Sequence, residues 1–203
     1  MPVRLPAKSY APEPSPTPKR WMRNECAYLV DNELIRGRYE LINGEIISKT
    51  GQKPLHALTV MILTEWLVGL VGAMSVRFQL PIDVADADNV HNEPEPDAVV
   101  LARPATETQG ANPKPADVLL AIEIADSSLR FDLRTKAALY ARAGIGDYWV
   151  IDLPGRRIVV HREPSADRYR SVVSYAENEM LAPLCRPEAE TLASALLPPA
   201  SVL

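Results

Sequence analysis

Two carboxylates stand where apolar runs begin or end. Asp97 follows Pro96 and opens the run Ala98-Val99-Val100-Leu101, while Glu123 closes the run Val118-Leu119-Leu120-Ala121-Ile122. An acid at the end of a buried strand is costly to desolvate without a partner, so the placement calls for a metal ion or a hydrogen-bonded pair. Two carboxylates on neighbouring strands plus one backbone carbonyl are a common oxygen donor set for magnesium, with positions left over for water and phosphate. The chemistry open to such a set is phosphodiester hydrolysis, in which a divalent ion lowers the pKa of water and neutralises charge developing on the phosphate.

Downstream, Asp126-Ser127-Ser128 can cap a helix that carries Asp132, Lys136 and Tyr140. Their spacing of four puts all three on one face, which can point toward Glu123. Taken alone, Asp132 and Lys136 read as a surface pair worth a few tenths of a kcal/mol, with Tyr140 partly packed beside them.

The elements that must position these groups read as mixed α/β. A helix is expected over about Asn24 to Leu34, with Asn24 as its cap and Gly37 beyond its end. Asn43-Gly44 between Arg38–Ile42 and Glu45–Ser48 is a strong hairpin signal, so Glu40 and Glu45 fall on paired strands. Leu55 to Val71 has Leu55, Leu58, Ile62, Trp66 and Leu70 on one side and reads as a central buried helix. Strands are expected at Ser75 to Val84, Asp97 to Ala102 and Val118 to Ile124, and a helix over about Phe131 to Ala143 closes at Gly144. Asp147 to Asp152, Arg157 to Arg162 and Arg168 to Ser174 then form a meander that extends the sheet. A short helix is expected near Glu188 to Leu197.

At this point the chain resembles a known family. Tyr39-Glu40-Leu41-Ile42-Asn43-Gly44-Glu45, Glu95-Pro96-Asp97-Ala98-Val99-Val100, Ile122-Glu123-Ile124 with Ser127-Ser128, Asp132, Lys136 and Tyr140, and Gly144 to Asp152 look like the Uma2 family of the PD-(D/E)XK nuclease superfamily. The resemblance implies a restriction-endonuclease-like core, with a central mixed sheet flanked by helices and an added antiparallel meander. It implies that Asp97 and Glu123 are the metal-binding acids of a Mg2+ (or Mn2+) site, with Ile124 lending its backbone carbonyl. The superfamily pattern places a lysine two residues past the second acid, where this chain has Ala125. Lys136 on the following helix is then the replacement, there to orient or deprotonate the attacking water and to offset phosphate charge. Glu40 matches an early-strand acid and would serve as an outer ligand through water.

Other candidates have plainer readings. His56 starts the central helix and is taken as structural, outside the catalytic set. Glu45 is a solvated hairpin acid, in second place behind Glu40. Asp83, Asp86, Asp88, Glu93 and Glu95 lack the spacing and central glycine of a calcium loop and read as a solvated loop. Tyr148-Trp149 could stack on bases but sits in an apolar strand pattern and reads more simply as core, and Arg130 and Arg134, four apart, fit phosphate contact and an exposed helix face equally well.

Bulk properties narrow the class. The 203 residues suit one domain, with 47% hydrophobic and 24% charged residues in the balance of a folded protein. A net charge of -4 argues against a protein that coats nucleic acid nonspecifically. Residues 1–20 hold Pro2, Pro6, Pro12, Pro14, Pro16 and Pro18 and are expected to form a disordered tail ahead of a single domain over 21–203. No apolar run reads as a membrane span, since Thr64, Glu65 and Gly69 interrupt Leu58 to Met74, and no secretory signal is visible, so the expected setting is cytoplasmic. Cys26 and Cys185 read as reduced structural residues. The expected activity is a metal-dependent DNA endonuclease working as a homodimer. The competing expectation is a catalytically silent nuclease fold used as a nucleic-acid-binding or assembly module.

Overall fold

Asn43 and Gly44 take positive φ values of 52° and 80°, the left-handed pair that a two-residue turn between twisted strands needs. Strands β1 (Tyr39–Ile42) and β2 (Glu45–Ser48) therefore pair antiparallel, with Glu40 opposite Ile47. A Cβ at Gly44 would also stand 2.8 Å from Cβ of Arg20, so the turn is closed both by its own conformation and by its neighbour. Before it lies helix α1 (Arg23–Asp31), whose N-cap is Met22 instead of Asn24 and which stops short of Leu34.

The computed structural model describes residues 17–200 apart from positions 50, 52, 108 and 109. Of the expected tail, residues 1–16 lie outside the described residues. Lys19 pairs with Glu25 at 2.6 Å.

Helix α2 covers Pro54–Val71, with Pro54 at a position where a missing N–H costs nothing. Its buried face is Thr59, Leu63 and Leu67, which corrects the expected face. Apolar residues surround this helix on all sides, so sequence spacing had no polar face to contrast with. At 18 residues and a mean hydropathy of 1.6, it is also long and apolar enough to cross a membrane, which corrects the reading of that run as too interrupted. Here it lies along the sheet, and Trp66 stacks on Trp149 with ring centroids 5.9 Å apart.

Strands β3 (Val76–Arg77), β4 (Ala98–Leu101), β5 (Val118–Ala125), β6 (Asp147–Asp152), β7 (Arg157–Ser165) and β8 (Arg168–Ala176) form one six-stranded sheet in that order. Only β5 and β6 run parallel. The connection between them is helix α4 (129–142), and a helix α3 of a single turn (Asp86–Asn89) precedes β4. Strand β3 is far shorter than expected. Gln79 has φ 54° and Pro81 lacks an N–H, so the chain leaves the ladder after Arg77 and bonds irregularly, Gln79 N–H to Pro96 O and Ile82 N–H to Pro94 O. At the C-terminal end, Thr191–Leu192 pairs with Met180–Leu181, and only Ala193–Leu196 is helical where a longer helix was expected.

The middle strands are covered on both faces, which is why they can be apolar throughout. Val99, Ala121, Ala125, Tyr148 and Val150 share a core with Leu139 and Tyr140 of α4. Val100, Leu120, Ile122, Trp149 and Ile151 share the opposite core with Leu63 and Leu67 of α2.

Candidate active site

Side chains on a strand alternate between its two faces, so position decides which layer a residue meets. Val99 and Ala121 face α4, hence Asp97 and Glu123, two residues away from each, face it too. The antiparallel register pairs Ala98 with Ile122, and one further step sets Asp97 across from Glu123. Asp97 is tied to the opposite strand directly, because its Oδ2 accepts the backbone N–H of Ile124 at 2.8 Å. Glu123 lies inside β5, opposite Val150, and not at the end of the strand as the apolar run suggested.

Helix α4 is π-helical over Asp132–Lys136 and α-helical again over Ala137–Arg142. A π segment adds a residue to the turn and is frequent at functional sites. Asp132, Lys136 and Tyr140 still share the inward face, and all three are buried, which overturns their reading as a surface pair with a flanking tyrosine. Lys136 Nζ donates to Oε1 of Glu123 at 2.8 Å and to Oε1 of Glu40 at 2.8 Å, and Tyr140 OH donates to Glu123 Oε1 at 3.0 Å. Asp132 instead accepts the hydroxyl of Ser128 at 2.5 Å. Position 125 of β5 is an alanine, and the lysine that reaches Glu123 is Lys136 of the helix.

Glu40 comes to this point because the hairpin docks beside the chain that leads into β4. Leu41 and Glu93 exchange backbone hydrogen bonds, and the Glu95 N–H donates to Glu40 Oε1 at 2.8 Å. Lys49 Nζ lies 3.1 Å from the same oxygen. The acidic stretch expected as a solvated loop is largely paired. Asp83 bonds Arg23, Asp88 bonds Arg142, and Glu95 bonds Arg38, so these acids clip the hairpin, α1 and α4 around the site. Glu45 is exposed, and Tyr148 and Trp149 are fully buried.

The five residues singled out in the sequence, Glu40, Asp97, Glu123, Ile124 and Lys136, line one cavity of about 260 Å³. Lys49, Lys53, His56, Gln79, Ser128 and Asp132 line it as well. Sequence spacing did not bring in Lys49 or His56. Both reach the site through contacts between separate elements, and only the stranded position of a histidine at the head of an apolar helix gave a hint. His56 Nε2 stands 3.3 Å from Asp97 Oδ2.

Charge divides the carboxyls. Burial pushes Glu40 upward, but the ammonium groups of Lys136 and Lys49 and its hydrogen bonds prevail and hold it below the usual range. Burial likewise raises Asp97, and the contacts with His56 and the Ile124 amide more than offset it, so Asp97 also lies low. Glu123 is held well above the usual range by burial, with Lys136 opposing and Glu40, Asp132 and Asp97 adding repulsion. Burial lifts Asp132 too. For Lys136 burial favours the neutral amine, yet Glu123, Glu40 and Asp132 outweigh it and raise its pKa, so it remains an ammonium.

This donor set suits a hard divalent cation. Both hydrogen bonds to Glu123 fall on Oε1, and the short contacts of Asp97 fall on Oδ2, so each keeps a second oxygen for a ligand role. Among the described residues no three His, Cys, Asp or Glu side chains cluster to hold an ion. Magnesium tolerates that, because it often binds through one or two carboxylates and keeps several waters.

The Uma2 family model, described as "Putative restriction endonuclease", matches residues 31–194. The chain belongs to the Uma2 family. The matched span of this Uma2 protein takes in the hairpin, both strand acids and α4. A crystal structure from Anabaena variabilis, described as a "putative nuclease", is similar at a TM-score of 0.59 and 18% identity, covering 83% of this chain and 96% of that one. At that identity the likeness is one of fold. No curated protein matches the chain.

Proposed function

We propose that the protein is a divalent-metal-dependent endonuclease that hydrolyses phosphodiester bonds of DNA. The observation that carries this reading is the facing position of Asp97 and Glu123, with Lys136 2.8 Å from Glu123 in the same cavity. Asp97 and Glu123 would hold Mg2+ (or Mn2+), with the Ile124 carbonyl as a further oxygen donor. Bound there, the ion supplies Lewis acidity at the phosphate and lowers the pKa of water.

The chain's own groups divide the remaining work. Lys136 carries a buried positive charge that can orient water or a phosphate oxygen and offset phosphate charge. Proton removal suits it poorly, because the ionised Glu40 at 2.8 Å favours its ammonium form. Tyr140 OH donates to the same oxygen of Glu123 and helps to fix it. Glu40 holds Lys136 and fits the part of an outer, water-mediated ligand. By this reading the enzyme works in the cytoplasm as a homodimer, since two paired sites can cut both strands. Sedimentation at micromolar concentration that finds only monomer contradicts the dimer.

One observation favours the alternative, a catalytically silent fold used for nucleic-acid binding or assembly. Lys136 already compensates Glu40 and Glu123 without any ion. Plasmid cleavage separates the readings. The expected outcome is Mg2+- or Mn2+-dependent nicking that Asp97→Asn and Glu123→Gln abolish. DNA binding by the parent without metal-dependent cleavage would favour the silent module.

A further inference from the structure

His56 lies on the helix that packs against the opposite face of the sheet, yet its ring enters the cavity that holds the acids. It occupies the first turn of α2, its side chain is 17% exposed, and its Nε2 stands 3.3 Å from Asp97 Oδ2. Catalytic-site hydrogen bonds are often long in a site without its ligand, and at 3.3 Å Nε2 is within reach of donating to Oδ2. The other ring nitrogen, Nδ1, is buried with no hydrogen-bond partner among the described residues.

That arrangement selects one tautomer. With the proton on Nδ1, a buried donor would go unbonded and the Nε2 lone pair would face a carboxylate oxygen. With the proton on Nε2, the N–H points at Oδ2 and only an acceptor is left unmet, the less costly of the two. A buried unsatisfied nitrogen still costs stability, and an apolar residue at position 56 would remove that cost. What a leucine would forfeit is the contact with Asp97.

We infer that His56 is a positioning residue for the metal-ligating Asp97. Its Nε2, at 3.3 Å, and the Ile124 amide, at 2.8 Å, both address the same oxygen, Oδ2. A carboxylate held at one oxygen by two donors loses its freedom to rotate, and Oδ1 is then presented to the cavity at a fixed angle. Gln79 Nε2 donates to Oδ1 at the long distance of 3.5 Å, a weak bond that an arriving cation can displace. Outer groups of this kind orient ligands, and their loss typically weakens metal binding by about 10–100-fold.

This inference rests on the proposed metal site, and the experiment separates the two. Mn2+ binding is measured by calorimetry on the full chain for the parent, Asp97→Asn, His56→Ala, His56→Asn and His56→Gln, with melting curves to establish that each folds. A glutamine amide falls where Nε2 lies and can reach Asp97, whereas an asparagine amide falls at the place of Nδ1 and cannot. The expected result is a loss of about 10–100-fold in His56→Ala and His56→Asn, with most of it recovered in His56→Gln. If the parent binds Mn2+ through Asp97 and all three His56 variants bind equally well, His56 is structural and the inference is wrong. The inference also fails if folded His56→Gln and His56→Asn are equally impaired, because reach toward Asp97 is then irrelevant. A parent that binds no Mn2+ overturns the metal site, and the inference with it.

Discussion

The ammonium of Lys136 lies 2.8 Å from Oε1 of Glu40, across 96 positions of sequence. The same ammonium holds Glu123, so one buried cation joins the hairpin, the middle of the sheet and the following helix. Removing it leaves two buried carboxyls without their main partner. The charge is therefore part of the fold as well as of the proposed chemistry.

Lys136→Ala should accordingly lower the melting temperature and leave Mn2+ binding in place, since the ammonium is not a ligand. Cleavage should fall by about 10²–10³-fold, the loss typical of one electrostatic donor. Lys136→Arg should restore little, because a planar guanidinium does not fit a pocket shaped for a compact ammonium. Calorimetry and plasmid nicking on the same preparations check this. A Lys136→Ala variant that cuts as fast as the parent removes Lys136 from the site chemistry.

Glu40 and Glu123 should contribute to stability with opposite dependence on pH. Glu40 sits below its ordinary value, so its ionised form stabilises the fold; that contribution is full above its unfolded value of about 4 and is lost as pH falls through the folded value. Glu123 sits well above, so its contribution is full at low pH and is lost as pH rises through its folded value. At neutral pH, Glu40→Gln should melt lower than the parent. With Glu123→Gln the melting temperature should fall less steeply than the parent's as pH rises, because the linkage at that site is gone. Melting curves between about pH 3 and pH 8 test both signs, on either side of the ordinary glutamate range. A Glu123→Gln protein whose melting temperature falls as steeply as the parent's toward the alkaline end contradicts the assignment.

Much of the fold and site is legible in local sequence. Asn43-Gly44 marks the hairpin because a left-handed pair suits that turn, and the strand acids stand out because charge at an apolar strand is expensive. Spacing places Lys136 on the inward face, but a surface pair fits that spacing equally well. Its partners are supplied by a hairpin that docks from far away in sequence, and the resemblance to the Uma2 family carries that step. Nothing local distinguishes a structural histidine at a helix start from His56, which aims at a strand acid on another element. The buried face of α2 escapes the sequence for a related reason, since an all-apolar helix leaves the choice of face to tertiary packing.

The hairpin that delivers Glu40 gives a further test at its turn. Gly44→Ala places a Cβ at φ 80° and 2.8 Å from Cβ of Arg20. It should cost about 1–3 kcal/mol. Chemical denaturation measures it, and a neutral result would mean that the turn and residue 20 can shift without strain.

The facing pair of Asp97 and Glu123 is tested most directly by anomalous diffraction from crystals soaked in Mn2+. A single strong peak is expected between these two carboxylates, bonded to Asp97 and Glu123 and flanked by Lys136. A peak elsewhere, or none while Lys136 still bridges Glu40 and Glu123, would contradict the metal site.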